Sequence, residues 1–139
     1  LSNLTECIPY DDSAIALWVT GAQLKKMILY MLRDEVWDGA HCEFFQFSEG
    51  IRVIYDRQSH ILQEFSLYGE PIDDTKIYKI GLQYYFYLNM KDFFSVSHEE
   101  VEPNGKPRRV ATSCREVLDE YLSCHQGFDH QIDGRLKFE

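Results

Sequence analysis

At 139 residues the chain is one domain by length, and its apolar fraction of 45% suffices for a hydrophobic core, while an aromatic fraction of 14% favours a β-containing one. The formal net charge of −9 is dispersed, with acidic pairs at 11–12, 73–74 and 99–100. That balance argues against a nucleic-acid polymer or an anionic membrane as partner, because both select for clustered Lys and Arg.

No stretch approaches the roughly 18 apolar residues of a membrane span, and the N-terminus shows no signal-peptide pattern. The chain begins on Leu1 without an initiator Met and reads as a piece of something longer.

Residues 1–12 form an entry segment in which Pro9-Tyr10-Asp11-Asp12 predicts a turn, since Pro presets φ and Asp folds back on the backbone. Ser13 to Val19 is a strand candidate. Thr20 then caps a helix whose Leu24, Met27, Ile28, Met31 and Leu32 recur at i, i+3, i+4, i+7 and i+8, with Lys25, Lys26 and Arg33 mainly on the other side. Phe44 to Ser48 reads as a short strand. Ile51 to Asp56 and Ile61 to Tyr68 read as a hairpin across the turn at Arg57-Gln58-Ser59-His60.

Ile77 to Leu82 alternates and runs into Tyr84-Tyr85-Phe86-Tyr87-Leu88-Asn89-Met90-Lys91-Asp92-Phe93-Phe94. An aromatic run of this kind predicts a buried strand, which would end at the polar interruption from Asn89 to Asp92. Residues 95–111 are polar and read as a loop. Ser113 and Glu116 fit a capping box for a second helix with Cys114, Val117, Leu118 and Tyr121 as its buried stripe, and Gly134 to Phe138 predicts a last strand. The fold class is α+β, with a mixed, largely antiparallel sheet arrangement and two main helices.

Cys7, Cys42, Cys114 and Cys124 follow no zinc or redox spacing, and Cys114…Cys124-His125…His130 is looser than structural zinc sites, so buried free thiols are the expectation. No phosphate loop, nucleophile elbow or two-metal ligand set occurs, and the chain alone is read as non-catalytic. Asp73-Asp74 reads as a solvated turn, and the cluster Lys106, Arg108 and Arg109 as a solvated loop. What the residues can build is a nucleoside clamp. A base stacks between aromatic rings for ~1–3 kcal/mol, and a carboxylate accepts hydrogen bonds from neighbouring ribose hydroxyls. The aromatic run of 84–94 carries one such acid, Asp92.

The order of segments resembles the C-terminal domain of the 5′-nucleotidase family, which includes UDP-sugar hydrolases and 2′,3′-cyclic nucleotide phosphodiesterases. The resemblance rests on Ile8-Pro9-Tyr10 as the turn before the first strand and on Trp18-Val19-Thr20-Gly21-Ala22-Gln23-Leu24-Lys25-Lys26 as the strand and helix start. It extends through Phe44 to Asp56, Tyr68-Gly69-Glu70-Pro71-Ile72 with Ile77-Tyr78-Lys79-Ile80, and Asp133 to Phe138.

The family's Asn-Phe-x-Ala-x-Gly-Gly-Asp-Gly-Phe loop aligns without a gap on Tyr85 to Phe94. The resemblance therefore implies that Phe86 stacks on a base opposite Tyr10 and that Asp92 holds the ribose, with Tyr84, Tyr85 and Tyr87 as framework. Met90, Lys91 and Phe93 replace the three loop glycines. The resemblance also implies a nucleotide or nucleoside-like ligand and an N-terminal metallophosphoesterase domain with divalent metal ions, neither domain nor metals being in this chain. It implies an extracellular, periplasmic or wall-attached location too. The alternative reading is a degenerate domain that binds nothing and serves as a structural cover or protein-interaction module.

Overall fold

The computed structural model describes residues 6, 8, 10–38, 45–129 and 131–139. Cys7, Pro9, Cys42, Phe44 and His130 lie outside the described residues, and with them parts of the first turn, of the 44–48 segment and of the loose Cys/His spacing.

Strand β1 (Ala14–Thr20) is apolar on both faces because it is the middle strand of a three-stranded antiparallel sheet. Its partners are β5 (Ile77–Gln83) on one side and β6 (Arg108–Ala111) on the other. Leu17 and Val19 are fully buried. At Thr20 the chain turns into helix α1 (Gly21–Met31) through a complete capping box, in which Gln23 N donates to Thr20 Oγ1 and Thr20 N donates to Gln23 Oε1. The anticipated stripe of Leu24, Met27, Ile28, Met31 and Leu32 is buried.

A short helix, α2 (Asp34–Trp37), follows. The predicted hairpin forms from β2 (Ile51–Asp56) and β3 (Ile61–Leu67), extended by β4 (Glu70–Pro71) and by β7 (Leu136–Phe138), which lies parallel to β2. This gives a four-stranded mixed sheet of order β4-β3-β2-β7. The α+β class holds, with two main helices of 11 residues each, α1 and the later Cys114–Cys124 helix. Residues 45–48, expected as a strand, carry no regular structure; Phe45 instead packs its ring on the aromatic segment of 84–94.

That aromatic segment is the main correction. It is two successive short helices, α3 (Tyr84–Leu88) and α4 (Met90–Phe94), rather than a strand. Its inward residues Phe86, Met90, Phe93 and Phe94 fall at i, i+4, i+7 and i+8, a helical period that the density of rings conceals. Met90 and Phe94 are each about 1% exposed and join Leu17, Val19, Val53 and Tyr55 in one core between the two sheets and α1. Burial of side chains this size contributes about 1.5–3 kcal/mol each, enough to override β-propensity in the run.

The region 95–111, expected as a loop, contains helix α5 (His98–Val101), a 3₁₀ turn (Glu102–Asn104) and edge strand β6. The last helix, α6 (Cys114–Cys124), starts where expected, but only half of the capping box forms: Ser113 Oγ accepts from Glu116 N. Its anticipated buried stripe is only partly covered, since Val117 is 51% and Tyr121 44% exposed. Periodicity marked an apolar face, yet the described body does not cover that face.

One glycine is fixed by a close approach. Gly21 N donates to Lys76 O and Ala22 N to Asp74 O, which presses the first turn of α1 onto the 73–76 turn. A Cβ at Gly21 would overlap the carbonyl oxygen of Asp73. Gly21→Ala is expected to cost about 1–3 kcal/mol, the range for overpacking a close contact, read as a lowered midpoint with unchanged slope in urea denaturation.

Candidate functional site

The first turn meets the aromatic helices through one of its two adjacent carboxylates, Asp12. Asp12 Oδ1 accepts from Ser13 N at 2.7 Å, and its Oδ2 accepts from the backbone N–H of Tyr85 at 2.6 Å. Tyr84 N donates to Ser13 O at 2.8 Å beside it. The opening N–H groups of α3 have no partner within their own helix, and no side chain on the helix's own N-cap supplies one. Asp12, 73 residues away in sequence, supplies it instead.

Asp11 does the same for α6. Its Oδ2 accepts from Ser113 Oγ at 2.7 Å and its Oδ1 from Arg115 N at 3.2 Å, while Arg115 Nη2 reaches Ile8 O at 3.0 Å. These bonds hold the Asp11 carboxyl below its ordinary value, the Ser113 hydroxyl first and the Arg115 amide second.

This arrangement ties together the two segments that carry the expected site residues, the first turn and residues 84–94. Tyr10 stands on the turn pinned by Asp11 and Asp12, with its side chain 86% exposed. Asp92 lies exposed on α4, and among the described residues its carboxylate takes no hydrogen bond. Phe86 sits differently from a free stacking ring. It is half-buried, with Phe45 at 4.8 Å, Phe93 at 5.0 Å and Tyr85 at 5.5 Å, all edge to face.

Tyr84 and Tyr87 do form framework: they stack on each other at 6.1 Å, with the Arg109 guanidinium over Tyr84 and His98 against Tyr87. Tyr85 is 56% exposed, its ring edge to face against Phe86 at 5.5 Å and Phe93 at 5.7 Å. The three positions without glycine are helical, and none has positive φ. Met90 fills the core, Phe93 packs on Phe86, and Lys91 is exposed.

Two shallow grooves lie elsewhere. One of about 550 Å³ runs along α1 past Lys25, Lys26, Tyr30 and Arg33, with Lys25 paired to Asp74 at 2.6 Å and Lys26 to Glu100 at 2.9 Å. The other, about 530 Å³, is lined by Asp34, Asp38, Arg57, Gln58, His60 and Glu139. Asp73 serves its own turn, accepting from Thr75 N and Oγ1.

The described histidines that make bonds serve structure: His98 Nε2 donates to Tyr87 O, His125 Nδ1 donates to Tyr121 O, and His60 Nδ1 meets the Tyr55 hydroxyl. Cys114 and Cys124 are free thiols, but neither is fully buried as expected: Cys114 is half-buried and Cys124 is exposed, on the uncovered end of α6. Burial, then the carboxylates of Asp12 and Asp11, push the Cys114 thiol up, so it stays protonated at neutral pH. Among the described residues no group of three His, Cys, Asp or Glu is placed to hold a metal ion, and no helix is long and apolar enough to cross a membrane.

Two measurements check the pinned turn. Asp12→Ala leaves the Tyr85 amide without its acceptor and is expected to cost ~1 kcal/mol, the usual loss of a helix cap, with faster hydrogen exchange at Tyr84 and Tyr85. The Asp11 carboxyl titrates below its ordinary 3.8 in the folded chain, so its contribution to stability is full above that value and lost as pH falls through the folded pKa. Asp11→Asn is therefore expected to flatten the acid limb of the stability profile in that window and to leave its neutral limb unchanged in shape.

The family described as 5′-nucleotidase, C-terminal domain, matches residues 1–99. Among solved structures, the NAD nucleotidase of Haemophilus influenzae superposes with a TM-score of 0.78 at 18% identity over 99% of this chain and 26% of that one. A 5′-nucleotidase precursor from Thermus thermophilus gives 0.75 at 19% identity over 97% of this chain and 27% of that one. A putative 5′-nucleotidase from Staphylococcus aureus, in complex with α-ketoglutarate, gives 0.63 at 14% identity over 99% and 29%. The chain thus spans less than a third of the length of each of these proteins. No curated protein sequence matches it significantly. With its fold shared along nearly the whole chain and its family pattern matched over residues 1–99, the chain belongs to the 5′-nucleotidase C-terminal domain family.

Proposed function

We propose that this domain recognises a nucleotide or nucleoside-like ligand on behalf of a metal-dependent 5′-nucleotidase-type phosphoesterase. A base is received between Tyr10 and the aromatic platform to which Phe86 belongs, and Asp92 accepts from the ribose hydroxyls. One observation supports the reading: the 2.6 Å bond from Tyr85 N to Asp12, which ties the turn bearing the exposed Tyr10 to the helices that bear the aromatic platform and Asp92.

The chemical step belongs elsewhere. Hydrolysis of a phosphate ester in this reading requires paired divalent cations that activate water and stabilise the leaving oxygen. This reading assigns those metals to an N-terminal metallophosphoesterase domain of the same protein, as the family resemblance implies. Titratable acid–base chemistry is likewise not asked of this chain; its part is to bind and orient. The same reading places the parent protein outside the cell membrane, as an extracellular, periplasmic or wall-attached hydrolase.

A second reading, a cover or protein-interaction module that takes no ligand, draws on the packing of Phe86 among three rings and on the exposed Val117, Tyr121 and Phe128 near the C-terminus.

Titration of the chain with adenosine 5′-monophosphate, followed by amide chemical shifts, separates the two. The nucleotide reading expects saturable shifts centred on residues 10–12 and 84–92, with Tyr10→Ala and Asp92→Ala each weakening binding by about tenfold, the low end of one lost stacking or charge-assisted contact. Both side chains are exposed, so neither substitution is expected to disturb the fold. Unchanged affinity in both variants would overturn the assignment.

A further inference from the structure

The helical form of 84–94 changes which ring can share a ligand with Asp92. Asn89 ends α3 and opens α4 at φ −107°, ψ 29°, its N–H donating to Tyr85 O and its carbonyl accepting from Asp92 N and Phe93 N, so the two helices meet at a break in the i+4 ladder. Each helical residue turns the chain by about 100° and advances it by about 1.5 Å. Within α3 the adjacent Tyr85 and Phe86 therefore project about 100° apart. Across the break, the exposed residues Tyr85, Leu88 and Asp92 recur at i, i+3 and i+7.

Exposure follows the same geometry. Tyr85 and Leu88 are 56% and 51% exposed, Asp92 is exposed, and Phe86 is turned toward Phe45 and Phe93. Proximity to the other ring agrees. The backbone amide that Asp12 holds belongs to Tyr85, and Tyr10 is two residues from Asp12, no more than about 7 Å of extended chain.

We propose that Tyr85, rather than Phe86, is the ring that meets the base opposite Tyr10, and that Phe86 is the packing support beneath it. The proposal rests on the nucleotide-recognition reading above. It assigns the outward face Tyr85, Leu88 and Asp92 as one ligand surface, Tyr85 taking the base and Asp92 the sugar. Replacement of the family's loop glycines then has a consequence beyond lost flexibility: Met90 and Phe93 anchor a helix, and the helix rotates the exposed ring one position back along the chain.

The test is titration of the intact chain and three variants with adenosine 5′-monophosphate, with circular dichroism and thermal melting on each to confirm folding. Tyr85→Ala is expected to weaken binding at least tenfold, Tyr85→Phe to stay within about threefold because the ring is retained, and Phe86→Leu to stay within about threefold because an apolar support remains. A loss in Phe86→Leu with Tyr85→Ala unaffected would overturn the proposal while leaving nucleotide recognition standing. Equal losses in both would also overturn it, in favour of a shared platform. No saturable response in the unsubstituted chain would overturn the nucleotide reading, and this proposal with it.

Discussion

The Asp12 carboxylate is the constraint on which the candidate site depends. It closes the first turn on Ser13 N and satisfies an opening amide of α3, so one side chain fixes the entry segment to the aromatic helices. Charge-assisted bonds of this kind are short and strong relative to neutral ones. Asp11 ties the same turn to the start of α6. Two helix starts and one turn are thereby joined by two adjacent acids, and an otherwise projecting Tyr10 gains a defined neighbourhood. Without those bonds the turn would be an exposed segment carrying a ring with no fixed relation to anything else.

Beneath that junction the core dictates the conformation of the aromatic segment. Met90 and Phe94 complete a cluster that already contains Leu17 and Val19 from one sheet and Val53 and Tyr55 from the other. Their spacing of four residues suits one face of a helix, and filling that space outweighs the strand preference of the surrounding Tyr and Phe residues. Where the family pattern has glycines, this chain has side chains that the helix puts to use: one in the core, one against Phe86, one in solvent. The local backbone is ordinary αR rather than the left-handed region that glycine serves.

Much of this was legible from residue order alone. Thr20 and the Leu24-to-Leu32 stripe announced α1, because a capping box and a 3.6-residue period are local signals. The β2–β3 hairpin and the closing strand were equally local. The readings that failed needed information from distant residues. Strand β6 is short and carries Arg108 and Arg109, yet it forms because β1 offers an edge at Ala14 to Ala16. The apolar stripe of α6 was visible, but whether Val117 and Tyr121 are buried depends on what lies against them. Residues 84–94 misled because rings on every side of a short helix look like a strand when read by composition. At the candidate site, Tyr10 and Asp92 follow from family resemblance alone, and both are exposed. The exposed Tyr85 had a signal available, its seven-residue spacing from Asp92, which carries meaning only once the segment is known to be helical.

The most direct measurement is the structure of this chain with adenosine bound, by crystallography or by intermolecular NOEs. The expected result is a base in contact with the rings of Tyr10 and Tyr85 and ribose hydroxyls on the Asp92 carboxylate. A ligand seated in the groove along α1, or a base touching neither ring, would contradict the assignment of this junction as the recognition site.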